Sequence, residues 1–290
     1  MKIKDQSVFQ NYLEFHNAQM LSKDIDPIYP VLKYTLDKLN LSTDDKIWAI
    51  LSYVAFYQIG SGFKTLEQCP KPEVPFASFK LPCETERRNH RVQERLKKHF
   101  ESIVDVFFWN GSLESYFTKG FTNDSKSNWL LVNERLIKLW GNGRWAGYKT
   151  AEIFMKVLDF NVEPTDMGHN GASGSRRGLE LLLDNVPAGN SANEIWVLDL
   201  LSEQLVETMN NRGYHATLET AETSLCDFNS KTKGRYYTGI DIDKMQIAIK
   251  EVPSKYTDLL FEARKETLPN EFLGELNGWN GVRKDVKLRG

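Results

Sequence analysis

Asp166, His169, Ser173, Gly174, Ser175, Arg176 and Arg177 stand close together in the chain, and their side chains divide one chemical task between them. A carboxylate and an imidazole can take a proton from a nucleophile, which makes Asp166 and His169 candidate catalytic groups. Hydroxyls, a glycine and two guanidinium groups at the head of a helix can hold an anion. Arginine presents a planar fork to phosphate oxygens, and a helix start presents unpaired N–H groups. The same residues also admit a plain structural reading, with Asp166 and Ser175 as helix caps and His169 as a packed side chain.

Upstream, Leu139 to Ala151 form a glycine-rich turn that runs straight into a helix. Gly141, Gly143, Gly147 and Tyr148 there are candidates for contact with a DNA phosphate. Lys149, in the same stretch, is long enough to touch DNA or pyrophosphate, or to point at solvent. Glu222 and Cys226 are four residues apart and share one helical face. A carboxylate raises the pKa of a neighbouring thiol, so Cys226 reads as packing or substrate contact and not as a nucleophile. Tyr236 and Tyr237, with Lys231, Lys233 and Arg235, offer stacking and charge to an unpaired base, or make a basic surface loop. Arg87, Arg88, Arg91, Arg95, Lys97 and Lys98 read as a basic helical segment, either a solvated face or a phosphate contact. Gly60-Ser-Gly-Phe-Lys-Thr65 lacks the glycine that a phosphate loop needs before its lysine, so no ATP site is expected.

These groups need a scaffold, and the periodicity supplies a helical one. Residues 290 in number, 41% hydrophobic and 26% charged, exclude a disordered chain and a disulfide-built miniprotein. Cys69, Cys83 and Cys226 form no C-x-x-C pair, which argues against a structural zinc and for a reducing compartment. No run is long enough to span a membrane. Nothing at the N-terminus reads as a signal peptide, so a cytoplasmic location is expected. Trp129, Val132, Leu136 and Trp140 line one face behind an N-cap at Ser127. Ser191-Ala-Asn-Glu194 is a capping box before Ile195, Leu198, Leu201, Leu205 and Met209. Helices are also predicted from Asp26 to Leu39, over Ile47 to Ile59, and near 84–108, 146–158, 176–184 and 241–250. Gly60 to Cys83, with Pro70, Pro72, Pro75 and Pro82, reads as a long irregular loop. The expectation is a mainly α fold, 1–290, as one helical domain with two lobes. The first lobe is 1–120 with the 60–83 loop, the second 121–290, and the break lies near 110–125.

Gly147-Tyr-Lys149-Thr-Ala151, with Asp166 further on, resembles the helix-hairpin-helix motif of DNA glycosylases. Trp145 stands where the first hairpin glycine belongs, and the stretch after Asp166 departs from the glycosylase pattern. That stretch resembles a narrower group, the glycosylase-derived proteins of bacteriophages that build hypermodified thymines. These are the amino acid:DNA transferases, the α-glutamyl/putrescinyl-thymine pyrophosphorylases and the helical part of 5-hydroxymethyluracil DNA kinases. The likeness is carried by Gly143-Arg-Trp-Ala-Gly-Tyr-Lys-Thr-Ala-Glu152, by Asp166-Met-Gly168 with Ser173-Gly-Ser-Arg176 and Gly178-Leu179, and by Glu222, Cys226, Tyr236, Gly239 and Asp241. Tyr53 to Tyr57 with Gly60-Ser61 is similar to the group's N-terminal helix.

The resemblance implies a helix-hairpin-helix, glycosylase-like helical fold and a base extruded from DNA into a pocket. It implies replacement of the pyrophosphate of 5-pyrophosphoryloxymethyl-deoxyuridine by an amino acid or polyamine amine. The partners would be DNA containing modified thymine, the amine donor and a 5-hydroxymethyluracil DNA kinase, in the cytoplasm of a phage-infected bacterium. No cofactor or metal is called for. The leaving pyrophosphate would fall to Arg144 and Ser173 to Arg177, with Glu222, Cys226 and Tyr236 lining the pocket. Gly141, Gly143, Gly147, Tyr148, Arg87, Arg88 and Arg91 would contact DNA. Two alternatives stay open: a glycosylase or lyase using Asp166 and Lys149, and a non-catalytic DNA-binding partner of the kinase.

Overall fold

The computed structural model describes residues 1–72, 84–87, 90–171 and 173–273; Cys83, Arg88, Pro75 and Pro82 lie outside them. The described residues are helical, and their one β feature is an isolated antiparallel bridge between Ile3 and Leu183. In chain order the helices are α1 (Gln6–Ser22), α2 (Ile28–Lys38), α3 (Thr43–Phe56), α4 (Ile59–Gln68), α5 (Gln93–Asn110), α6 (Leu113–Thr118) and α7 (Ser125–Lys138). After them come α8 (Arg144–Val157), α9 (Gly174–Leu182), α10 (Ala192–Asn211), α11 (Leu218–Thr232), α12 (Ile240–Glu251) and α13 (Thr257–Thr267). The chain divides into two compact units. One holds Met1–Pro27, Pro164–Asp243 and the residues from 268; the other holds Ile28–Glu163 and Lys244–Thr267. The 110–125 break falls inside the second unit, as the turns around α6.

In the first unit α1, α9, α10 and α11 close around Phe9, Leu13, Leu179, Leu198, Leu205 and Leu225, all fully buried. Asp5 caps α1 by accepting from Ser7 N and Val8 N. The bridge is completed by Lys4 N donating to Leu182 O at 2.9 Å, which fastens the N-terminal segment beside the end of α9. Ser191 caps α10 as the sequence predicts, but Glu194 reaches back to Asn190 N, so the reciprocal arm of the box is shifted by one residue. Leu198, Leu205 and Met209 are buried, while Ile195 and Leu201 are half-buried.

In the second unit α3 is the central helix, buried on all sides from Ile47 to Phe56, and its N-cap is Ser42. The segment after it corrects the sequence reading, because residues 59–68 are helix and not loop. Gln58 caps α4 by accepting from Ser61 N. A Cβ on Gly62 would come 2.7 Å from Tyr53 Cα, and one on Gly60 would overlap Ala248 O. These glycines serve close helix packing. The basic segment is a second correction: helix begins only at Gln93, and Arg87 and Arg91 precede it. A third concerns α7, which is capped by Asp124 and not by Ser127; Asp124 accepts from Lys126 N, and Ser127 Oγ donates to its other oxygen. Trp129, Val132 and Leu136 are buried as predicted, whereas Trp140 lies beyond the helix and is partly exposed.

Helices α7 and α8 pack together across the turn at 139–143. Gly147 makes this approach close, since a Cβ there would lie 3.0 Å from Ile137 Cγ2. Gly141 takes φ +80°, a conformation that favours glycine. Two histidines brace the turn. His99 Nδ1 donates to Trp140 O at 2.7 Å, His90 Nδ1 donates to Ala55 O, and the two rings lie 4.6 Å apart. Burial drives His90 down to about 4, with Arg87 pushing the same way, and drives His99 well below its usual value.

This gives a prediction for acid. A histidine whose folded pKa is depressed stays neutral while the unfolded chain takes a proton, so stability is lost as pH falls from about 6.5 towards 4. The loss is on the order of 1–2 kcal/mol per histidine at pH 5. In the first unit His16 and His169 act in the same sense, but Asp24, Asp199 and Asp227 have raised values and bind protons more readily when folded, which offsets them. Between pH 7 and 5, hydrogen-exchange protection should fall more in α5 and α7 than in α1 and α11. Earlier loss in α1 and α11 would contradict the assignment.

Candidate active site

The described residues between Pro164 and Ser173 carry no helix, and Asp166 organises them. One carboxylate oxygen accepts from Gly168 N at 2.6 Å and the other from Thr165 Oγ1 at 2.8 Å, closing a tight turn in which Gly168 takes φ +66°. The turn sends Met167 into the core and His169 beneath the surface, where only 2% of His169 is exposed.

The hydrogen bonds of His169 define its state. Nε2 lies 2.8 Å from Ser202 Oγ, and that hydroxyl gives its single hydrogen to Leu198 O at 2.9 Å. The hydroxyl oxygen therefore accepts from the ring, Nε2 carries the proton, and Nδ1 presents a lone pair. Nδ1 is buried and has no hydrogen-bond partner among the described residues. Burial pushes the imidazole down to about 4, with Asp166 opposing and Arg176 assisting, so the ring is neutral at pH 7. A buried acceptor without a donor costs about 1–3 kcal/mol.

Beside this ring starts α9. Its N-cap, Ser173, is exposed and makes no side-chain capping bond, and Ser175 Oγ is buried without a partner. Arg176 Nη1 donates to Ala188 O, and its guanidinium crosses Gly189, where a Cβ would collide with it. Arg177 is exposed. Gly174, expected in the anion cradle, instead meets Cys226: a Cβ on it would overlap the thiol sulfur. Cys226 is thus a packing residue of the α9–α11 contact.

One member of the site carried no signal in the sequence. Asp199 lies on α10 one turn before Ser202, and its Oδ1 is buried without a partner. Burial, then Asp166, then Glu203 push its carboxyl up to about 6. The fields of Asp166 thus reach both His169 and Asp199, and those of Asp166 and Arg176 meet at His169.

Other predicted residues have different employment. Tyr236 is buried, donates to Asp24 Oδ2 and accepts from Gln19 Nε2 at 3.0 Å. It cannot present a ring face for stacking as the sequence suggested. Asp24 also accepts from the N–H groups of Gly239, Asp241 and Ile242 at the head of α12, and burial with Asp241 nearby pushes it up to about 7. Glu222 is buried on α11. In the second unit Lys149 Nζ makes a buried ion pair with Glu152 at 2.9 Å, so the amine is engaged within the fold. Arg87 spends its guanidinium on Val54 O, Gly141 O and Asn142 Oδ1, bracing the turn at 139–143 from within. Tyr148 is buried with its ring edge-on to Trp129. Gly143 caps α8 without a side chain, and Arg144, Trp145 and Arg91 are exposed. Among the described residues no group of three or more His, Cys, Asp or Glu could hold a metal ion, and no helix is long and apolar enough to cross a membrane.

The family model described as amino acid:DNA transferase matches residues 20–237, a span that takes in every residue of the site. The chain belongs to the amino acid:DNA transferase family. No curated protein matches it. Membership of this transferase family identifies DNA modification as the setting.

Proposed function

We propose that the protein replaces the pyrophosphate of 5-pyrophosphoryloxymethyl-deoxyuridine in DNA with the amine of an amino acid or polyamine, making a hypermodified thymine. The observation that carries this reading is the unpartnered Nδ1 of a neutral, buried His169 beside a helix head bearing Ser175, Arg176 and Arg177. A donor arriving as an ammonium sheds one proton, and Nδ1 accepts it. The amine lone pair attacks the exocyclic methylene, the C–N bond forms, and the C–O bond breaks with its electron pair leaving on pyrophosphate. The growing negative charge meets the N–H groups of α9 and the two arginines. The second amine proton leaves to solvent. Asp166 is a positioning residue: it holds the turn and sets the field at the ring. Arg144 and Arg91 suit contact with the DNA backbone, and exposed Trp145 suits stacking.

On this reading the substrate is supplied by a kinase acting on 5-hydroxymethyluracil in DNA, inside a phage-infected bacterium. The test is to incubate the protein with pyrophosphorylated DNA and a panel of amino acids and polyamines, then digest to nucleosides. A nucleoside heavier by the donor, with release of one pyrophosphate per transfer, is expected. Unchanged nucleosides with every donor would overturn the reading.

A further inference from the structure

We propose that a cavity between α1 and the C-terminal end of α11 binds a free α-amino acid with an apolar side chain, its ammonium held by Glu14 and its carboxylate by Lys231. The cavity measures about 420 Å³, within the roughly 300–1,000 Å³ usual for small-molecule sites, and its whole lining belongs to the first unit. Asn11, Glu14 and Phe15 face it from α1, Phe228 and Lys231 from α11, and Thr238 from the loop before α12. Positions 11, 14 and 15, like 228 and 231, follow steps of three and four, so each helix turns one face to the same space. The floor is apolar: the rings of Phe15 and Phe228 are buried, with centroids 5.7 Å apart.

The two charges on its rim are held in place and left open. Gln10 Nε2 donates to Glu14 Oε1 at 3.1 Å and to Tyr214 OH at 3.3 Å, which steadies the carboxylate on α1. The Lys231 ammonium lies 4.6 Å from the centre of the Phe15 ring, with its stem along the apolar floor. Among the described residues neither Glu14 nor Lys231 belongs to an ion pair, and the side chains of Asn11 and Thr238 make no hydrogen bond. Glu14 and Lys231 thus stand beyond ion-pair distance of each other, yet close enough for the field of Glu14 to act on the ammonium. A ligand that satisfies both ends carries one positive and one negative charge beside an apolar body. A polyamine would set its cations against Lys231, and a nucleoside phosphate would set its anion against Glu14. An α-amino acid offers an ammonium to Glu14, a carboxylate to Lys231 and a side chain to the two rings, with Asn11 and Thr238 in reach of the remaining N–H and oxygen groups.

Binding is measured without DNA, so it stands or falls apart from the transfer reading. The full-length protein is titrated by calorimetry at neutral pH with L-phenylalanine, phenethylammonium chloride, sodium 3-phenylpropionate and putrescine. L-phenylalanine should bind, and the two half-molecules, which keep the ring but lose one charge, should each bind weaker by about tenfold or more. Glu14→Gln and Lys231→Gln should each weaken L-phenylalanine by a similar factor. The first should leave 3-phenylpropionate unaffected, and the second phenethylammonium. Both residues are exposed, so Tm should stay within about 2 °C of the parent. No binding of L-phenylalanine, half-molecules that match it, putrescine that binds more tightly, or variants that bind it as the parent does would each overturn the assignment.

Discussion

Replacing Gly178 with valine is expected to separate α9 from α11 and to abolish transfer with it. A Cβ at this position would sit 2.5 Å from Leu225 O and 2.7 Å from Leu225 Cβ. The first of these is backbone, and it cannot withdraw without breaking the hydrogen bonding of α11. Gly174 and Gly178 are four apart, so they form one smooth stripe along which the two helices meet. Valine adds two further methyl groups to a contact with no room for one. The cost is about 3 kcal/mol, a large share of a stability of about 5–15 kcal/mol. Thermal unfolding should show Tm lowered by roughly 10 °C. Arg177→Ala, on the exposed face of the same helix, should leave Tm within about 2 °C. A Gly178→Val protein that melts with its parent would contradict the packing described.

The outline of α9 was legible in the sequence because Ser173 to Arg177 announce a helix start. The purpose of its glycines was not, because a glycine in an anion cradle and a glycine against a neighbouring helix look alike without the partner. The same ambiguity led Gly60 and Gly62 to be read as loop. Helix α1 escaped notice because its buried face includes His16, Gln19 and Ser22, and buried polar groups blur the apolar repeat on which the reading depends. Some of these polar residues bond across the fold: His16 and Tyr12 bond Ser224, and Gln19 Nε2 donates to Asp227.

Asp166, His169 and Arg176 stay near one another in the fold, because their proximity in the chain survives folding. Asp199 could not be found that way. It lies on another helix, and an aspartate between Leu198 and Leu200 looks like the solvated side of an amphipathic pattern. Tyr236 and Arg87 show the converse limit. A tyrosine in a basic stretch and an arginine among arginines suggest nucleic acid, but their hydroxyl and guanidinium are spent on Asp24 and on the carbonyls of Val54 and Gly141.

The other large effect is expected at His169. Phenylalanine replaces the imidazole with a somewhat larger planar ring, and Ser202 Oγ retains its bond to Leu198 O when the imidazole is gone. The substitution removes a buried acceptor that has no donor, so Tm should stay level or rise. Transfer should fall by about 10²–10⁴-fold, the usual contribution of a positioned proton acceptor. Loss of function without loss of stability distinguishes a group that serves the reaction from one that serves the fold.

Single-turnover transfer of a labelled amine onto pyrophosphorylated DNA, compared between the parent protein and His169→Phe at equal DNA occupancy, bears most directly on this imidazole. At least a hundredfold slower adduct formation in the variant, with DNA affinity and Tm preserved, is the expected result. Adduct formation at the parent rate would mean that the unpaired nitrogen takes no part in the chemistry.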